Sequence, residues 1–197
     1  MTAKPALTDT PIDPLLAGRW SPRAFSRAAL DAAHLNAVLE AARWAPSSSN
    51  LQPWRFIVCD RNTHANAYDR AFAGLVPFNQ GWVEGAPVLV VVCAQTVNAK
   101  GEPNASAAYD TGAAAFSLTL QAHALGLAAH QMGGIDRAAL RESFAIPAGF
   151  EVMAMIVLGH HGDAQQLAPK LLEREQAARQ RVPLGEIAYR GAWGVSN

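Results

Sequence analysis

Two segments are apolar at almost every position and set the frame for the rest of the chain. Residues 87–94 read Pro-Val-Leu-Val-Val-Val-Cys-Ala, the composition of a strand buried on both faces. Residues 151–158 carry a second such run, and 53–59 and 129–132 predict two shorter strands. Between them the period lengthens to that of a helix. Leu30, His34, Leu35, Val38, Leu39 and Ala42 share one face of a helix predicted over 26–43, which Pro46 terminates. Asp13 and Pro14 suit the start of a short helix ending at Gly18. A further helix is expected over 63–73, and Asp136 should cap another that runs through Phe144. Residues 105–127 are helical and apolar almost all round, which requires cover on every side: a central place in the core, or packing against a twin.

Helices and strands alternate without the regular beat of a doubly wound sheet, so the expected class is α+β, a modest sheet flanked by large helices. Residues 1–11 read as a flexible lead-in, and 12–197 as a single domain. Its polar tail, from about Asp163, reaches outward and ends in the apolar patch 187–193.

Composition narrows the function. Of 197 residues, 50% are hydrophobic and 16% charged, and 16 Lys+Arg balance 16 Asp+Glu. A neutral chain lacks the basic excess that phosphate backbones demand, which argues against nucleic acid. So little charge on so much surface suggests that some of it is covered, most simply by a second copy. No leader-like stretch or membrane-length apolar run occurs, so a cytoplasmic protein without a membrane partner is expected. Cys59 and Cys93 each lie in an apolar run and read as buried free thiols.

Three segments bear chemistry. Arg19-Trp20-Ser21-Pro22-Arg23-Ala24-Phe25 places two guanidinium forks and a hydroxyl within five residues, a set that reads on its own as a solvated turn but could hold a phosphate. Ala45 to Trp54 holds Ser47, Ser48, Ser49, Asn50 and Gln52 between Pro46 and Pro53. These short donors and acceptors suit the polar edge of a heterocycle, or an ordinary polar connection. Gln131-Met132-Gly133-Gly134-Ile135-Asp136 pairs two glycines before a helix cap, where a ligand could approach the backbone; it is also a common strand-to-helix turn, and it does not fit G-x-G-x-x-G. His123, His130, His160 and His161 lack metal-ligand spacing, and the alternating charges over 173–181 read as a solvated helix face.

In this order the segments resemble the nitroreductase family of flavin enzymes. Residues 19–25 look like its Arg-Arg-Ser-x-Arg-x-Phe opening, and 41–54 are similar to its most specific stretch nearly residue for residue. Met132-Gly133-Gly134-Ile135-Asp136 looks like its Met-Gly-Gly-Phe-Asp turn, and Pro183-Leu184-Gly185-Glu186-Ile187 with Trp193-Gly194 resembles its C-terminal signature. The resemblance implies a mostly antiparallel sheet in an intertwined homodimer, with the tail crossing to the partner subunit and FMN bound at the interface. It implies that Arg19 and Ser21 hold the phosphate and ribityl chain beside Trp20, with Arg23 near the pyrimidine edge. Pro46, Ser47, Ser48, Asn50 and Gln52 would line the flavin. Backbone groups of Gly133 and Gly134 would face N5, Gln131 and Met132 would also contact the cofactor, and Arg190 would reach the phosphate across the dimer. The implied reaction is ping-pong transfer of hydride from NADH or NADPH to a nitroaromatic, quinone or related acceptor. A flavin storage or sensor protein, or another flavin reaction such as dehalogenation or flavin fragmentation, are the alternatives, although 74–82 is short for the lid those reactions use. Three departures stand out: Trp20 where the motif has its second Arg, Ala192 where the family often has another, and Gly133 where some members are acidic.

Overall fold

The computed structural model describes residues 4–98 and 100–195. Its centre is the antiparallel pair of apolar runs, β2 (Val88–Gln95) and β4 (Phe150–Gly159). β1 (Trp54–Asp60) adds to the free edge of β2 and β3 (Ala128–Met132) to that of β4, giving the order β1-β2-β4-β3, antiparallel throughout. The expected α+β class and antiparallel sheet are thus observed.

Side chains of a strand alternate between faces, and β2 uses both. Leu89, Val91 and Cys93 join one core with Tyr68, Leu75, Trp82 and Leu140. Val88, Val90 and Val92 join the other with Val38, Ala42, Ala114 and Leu118. The sheet is therefore sandwiched. α3 (Ala65–Ala73), α4 (Pro77–Val83) and α6 (Arg137–Ser143) lie on one side, and α2 (Ala32–Arg43) and α5 (Ala107–Ala124) on the other. α1 (Pro14–Gly18) packs on α5, and α7 (Pro169–Gln176) follows the sheet. Cys59 and Cys93 are free and buried. Among the described residues no helix is long and apolar enough to cross a membrane.

Two predicted helices are trimmed, for reasons visible in their caps. α2 starts at Ala32 rather than 26, because the Asp31 carboxylate accepts the Ala33 N–H at 2.6 Å. Residues 24–26 instead pair with the chain leaving β4: Ser26 N donates to His160 O and Gly162 N to Ala24 O. α5 stops at Ala124 because Gly126 turns left-handed (φ 73°) and Leu127 N bonds back to Ala122 O, freeing the chain to begin β3. α4 has no counterpart in the sequence reading.

The lead-in is tied down where it is described. Ala6 N donates to Ala17 O, and Lys4 Nζ to Glu175 O. Of the two kinds of cover expected for α5, the chain's own core supplies only part. Within one chain it keeps an open apolar face, with Tyr109 84% and Phe116 43% exposed and Gly112 between them.

Candidate functional site

The segment after α1 is extended and pinned from two sides. The end of β4 holds residues 24–26 as described, and on the other side lies Glu175 of α7. Both Glu175 carboxylate oxygens accept the Arg23 N–H (3.0 and 2.9 Å), and one also accepts that of Ala24 (3.2 Å). So held, Arg19, Trp20, Ser21 and Arg23 form one wall of a cavity of about 250 Å³. Lys4, Arg174, Arg179 and Arg181, with Ala177 and Ala178, line the rest.

Six cations around a space that small raise one another's energy. Burial, then repulsion from Arg179 and Arg181, lowers the pKa of Arg19. Burial also lowers those of Arg23, Lys4 and Arg179, with repulsion from Arg174 on Arg23, from Arg179 and Arg23 on Lys4, and from Arg181 on Arg179. On Lys4 and Arg23 the Glu175 carboxylate opposes the shift. An anion seated among these groups would relieve the repulsion, and a phosphate matches the planar forks of arginine. Lys4 Nζ lies 4.8 Å above the Trp20 ring.

From the cavity a chain of contacts leads to the glycine turn. The Arg23 guanidinium lies 5.9 Å over the Trp82 ring, and Trp82 Nε1 donates to Asn79 Oδ1 at 3.2 Å. Asn79 Nδ2 in turn donates to Gly134 O at 3.0 Å, so α4 fixes the turn. A side chain at Gly134 would collide with Asn79 Nδ2 at 2.6 Å, whereas Gly133 faces open space. His130 packs tilted against Trp82 with centroids 4.7 Å apart and bonds the Pro22 carbonyl through Nδ1 at 2.9 Å. Burial pushes its pKa down to about 4, only partly opposed by that carbonyl, so the ring is a neutral spacer rather than a proton donor at ordinary pH. Of the other predicted turn residues, Gln131 commits its amide to Ala115 O and Thr119 Oγ1 of α5, and the Met132 side chain is buried in the core. Only their backbones adjoin the turn.

The polar loop is a separate construction. Ser48–Asn50 form one 3-10 turn, and Ser49, Asn50 and Gln52 all adopt left-handed φ (50°, 54° and 45°), uncommon for residues with a Cβ. Ser47 Oγ accepts the Gln52 N–H, and Gln52 Nε2 bonds Asn50 O and Oδ1. Asp110, buried near the start of α5, accepts the Ser48 N–H at 3.1 Å. Pro46, Ser48 and Asn50 are exposed. Strain of this kind, kept by surrounding bonds, is characteristic of ligand-facing loops.

The loop and the basic cavity do not meet within one chain. The loop is anchored at Asp110, while Gly18, next to Arg19, abuts His123 at the other end of α5. Thirteen residues of helix separate those anchors, about 20 Å at about 1.5 Å per residue. Arg190 is exposed and outside the cavity; its backbone N–H bonds Val195 O.

Sequence reasoning missed Lys4, Asn79, Trp82, Arg174, Arg179 and Arg181. The last two were grouped with a solvated helix face, but α7 ends at Gln176. In the non-helical Arg179-Gln180-Arg181 that follows, alternate positions share a side, and that spacing was the available signal.

Fold and site together define a helix–sheet–helix α+β protein with a basic cavity at one end of its long helix and a strained polar loop at the other. The chain belongs to the nitroreductase family, whose model matches residues 16–80 and 75–160. It is similar along its full length to a solved oxidoreductase containing FMN (38% identity, all of both chains covered, TM-score 0.92). An uncharacterised 15.4 kDa protein of Mycolicibacterium smegmatis is 36% identical over 148 residues, covering 71% of this chain and 97% of that one. The oxygen-insensitive NAD(P)H nitroreductase of Enterobacter cloacae is 27% identical over 213 residues, covering 86% and 94%.

Proposed function

We propose that this chain forms a homodimeric, FMN-dependent oxidoreductase that draws hydride from NADH or NADPH. The observation that carries the proposal is the split site. An open apolar face, Tyr109-Gly112-Phe116, lies between its halves on α5. A two-fold interface is self-complementary, so two α5 helices paired antiparallel bring the loop end of one chain to the cavity end of the other. Two complete sites result, each drawing on both chains.

In such a site Arg19, Ser21, Arg179 and Arg181, with Lys4, hold the phosphate, and Arg23 stands between it and the ring system. Ser47, Ser48, Asn50 and Gln52 come from the partner's loop. The Gly133-Gly134 turn, fixed by Asn79, leaves room at Gly133 for a flat ring to approach. Arg190 and the tail beyond 181 reach the partner subunit. FMN held there would supply the redox chemistry, carrying hydride from the nicotinamide to a nitroaromatic, quinone or related conjugated acceptor. The chain binds, orients and shields. Where Trp20 and Ala192 stand in place of the family's arginines, Lys4, Arg174, Arg179 and Arg181 supply cations to the cavity.

The test is direct. Purified protein should be yellow, release FMN on denaturation, and oxidise NADH or NADPH with menadione or nitrofurazone in parallel-line kinetics. Protein that is colourless and takes up no FMN when offered it overturns the proposal.

A further inference from the structure

Glu175 is a carboxylate without an obvious task. It is 5% exposed, lies among the cations of the basic cavity, and yet makes no ion pair within 4 Å among the described residues. Burying a carboxylate is costly unless its oxygens are satisfied. Here three backbone contacts satisfy them, two from the Arg23 N–H and one from the Ala24 N–H. The main chain of the same residue accepts Lys4 Nζ at 2.6 Å. One position on α7 therefore joins three stretches that carry the cavity's cations: the lead-in (Lys4), the segment after α1 (Arg19 and Arg23) and the strap leading to Arg179 and Arg181.

We infer that Glu175 is a positioning residue that sets the basic cavity in register for a phosphate monoester. It acts through the backbone of Arg23 and Ala24, not by touching the ligand. Its charge works against that task, since a negative group near the cavity weakens anion binding by Coulomb's law. Retaining a carboxylate there is useful only if the geometry it imposes outweighs the potential it subtracts. The inference rests on the reading of the cavity as the FMN phosphate site.

The two effects have opposite signs, so one substitution separates them. Glu175→Gln keeps the shape, removes the charge, and places an amide donor against the Arg23 N–H. If the residue were only a nearby charge, FMN would bind more tightly. If it positions the cavity, FMN binding weakens by about tenfold or more, the scale of losing a buried charge-assisted hydrogen bond. Riboflavin, which lacks the phosphate, controls for general damage. Apoprotein of the full chain is titrated with FMN and with riboflavin by flavin fluorescence quenching, for wild type, Glu175→Gln and Glu175→Asp. Asp keeps the charge and gives a soluble protein should Gln not fold; it withdraws the carboxylate by one methylene.

The expected result is a selective loss: FMN weakened in both variants, riboflavin unchanged, and the FMN-to-riboflavin preference reduced accordingly. Unchanged or tighter FMN binding in the folded variants, or equal losses for both ligands, overturns the positioning role. A wild-type protein that binds FMN no better than riboflavin instead overturns the phosphate-site reading beneath it.

Discussion

Gly112 offers a test in which a free helix face and a paired one give opposite answers. A side chain added there meets nothing within 4 Å in the single chain, and the position lies inside an 18-residue helix. For an isolated chain, Gly112→Gln is therefore favourable: replacing a helical glycine by a good helix former gains about 0.5–1 kcal/mol. In a chain of this size that raises Tm by about 1–4 °C. If a twin helix packs on this face, each new side chain overpacks the interface by about 1–3 kcal/mol. Symmetry doubles the insult, to about 2–6 kcal/mol per dimer, and each 1.4 kcal/mol is about tenfold. The dimer dissociation constant should then rise by at least about thirtyfold. Sedimentation velocity at low micromolar concentration, with free flavin removed, reads the assembly, and the ratio of flavin to protein absorbance reads occupancy. The variant is expected to dissociate and lose its flavin together. A Gly112→Gln protein that stays dimeric, yellow and more stable than wild type would refute the pairing of α5 helices.

Three further outcomes follow from the site. Arg179→Ala should weaken FMN by about tenfold or more, from the loss of a charge-assisted bond, with riboflavin affinity intact; titration of Arg190→Ala alongside it shows which arginine of the tail serves the phosphate. Stability should fall as pH drops from about 6.5 toward about 4, because burial keeps His130 neutral in the folded chain while the unfolded chain takes up the proton. The full effect is about 3 kcal/mol, and melting curves of His130→Phe should show a flatter dependence in that window. Burial pushes the Cys59 thiol up to about 11 and raises that of Cys93, so neither should react with an aromatic disulfide reagent near pH 8 until the chain is unfolded.

Much of the fold could be read from pattern because the central strands admit no other reading. Residues 87–94 and 151–158 are too apolar to face water and too short for buried helices, so the sheet's core pair was legible. α4 was not, because it is only seven residues long, holds Gly81 in its interior, and its burial rests on Asn79, Trp82 and Val83 rather than on any apolar repeat. The start of α2 was misplaced because Leu30 continues the apolar face, yet it is buried from the extended segment before the Asp31 cap. At the site, local motifs marked Arg19 to Arg23, the polar loop and the glycine turn. The groups that complete the cavity come from distant sequence: Lys4 from a stretch rich in proline, and Arg179 and Arg181 from one rich in charge. Nothing local distinguishes an arginine turned inward from one facing water. A buried acid that binds only backbone, as Glu175 does, has no sequence signature at all.

A site divided between the ends of one helix has a thermodynamic consequence beyond catalysis. In the proposed dimer each FMN touches both chains, whereas a separated chain offers only half of the contacts. Whatever binds the dimer and not the separated chains stabilises the dimer by linkage, by about 2.7 kcal/mol for each site at a free ligand concentration of 100 Kd. Two sites contribute about 5.4 kcal/mol, which tightens the dimer by about four orders of magnitude. The neutral, apolar face of α5 then need not hold the chains together unaided, and the cations that repel one another in the empty chain become part of the attraction between chains once a phosphate is shared. Assembly and cofactor loading are one equilibrium in this arrangement. The defect at Gly112 should accordingly be masked at saturating FMN and appear in full only when free flavin is removed.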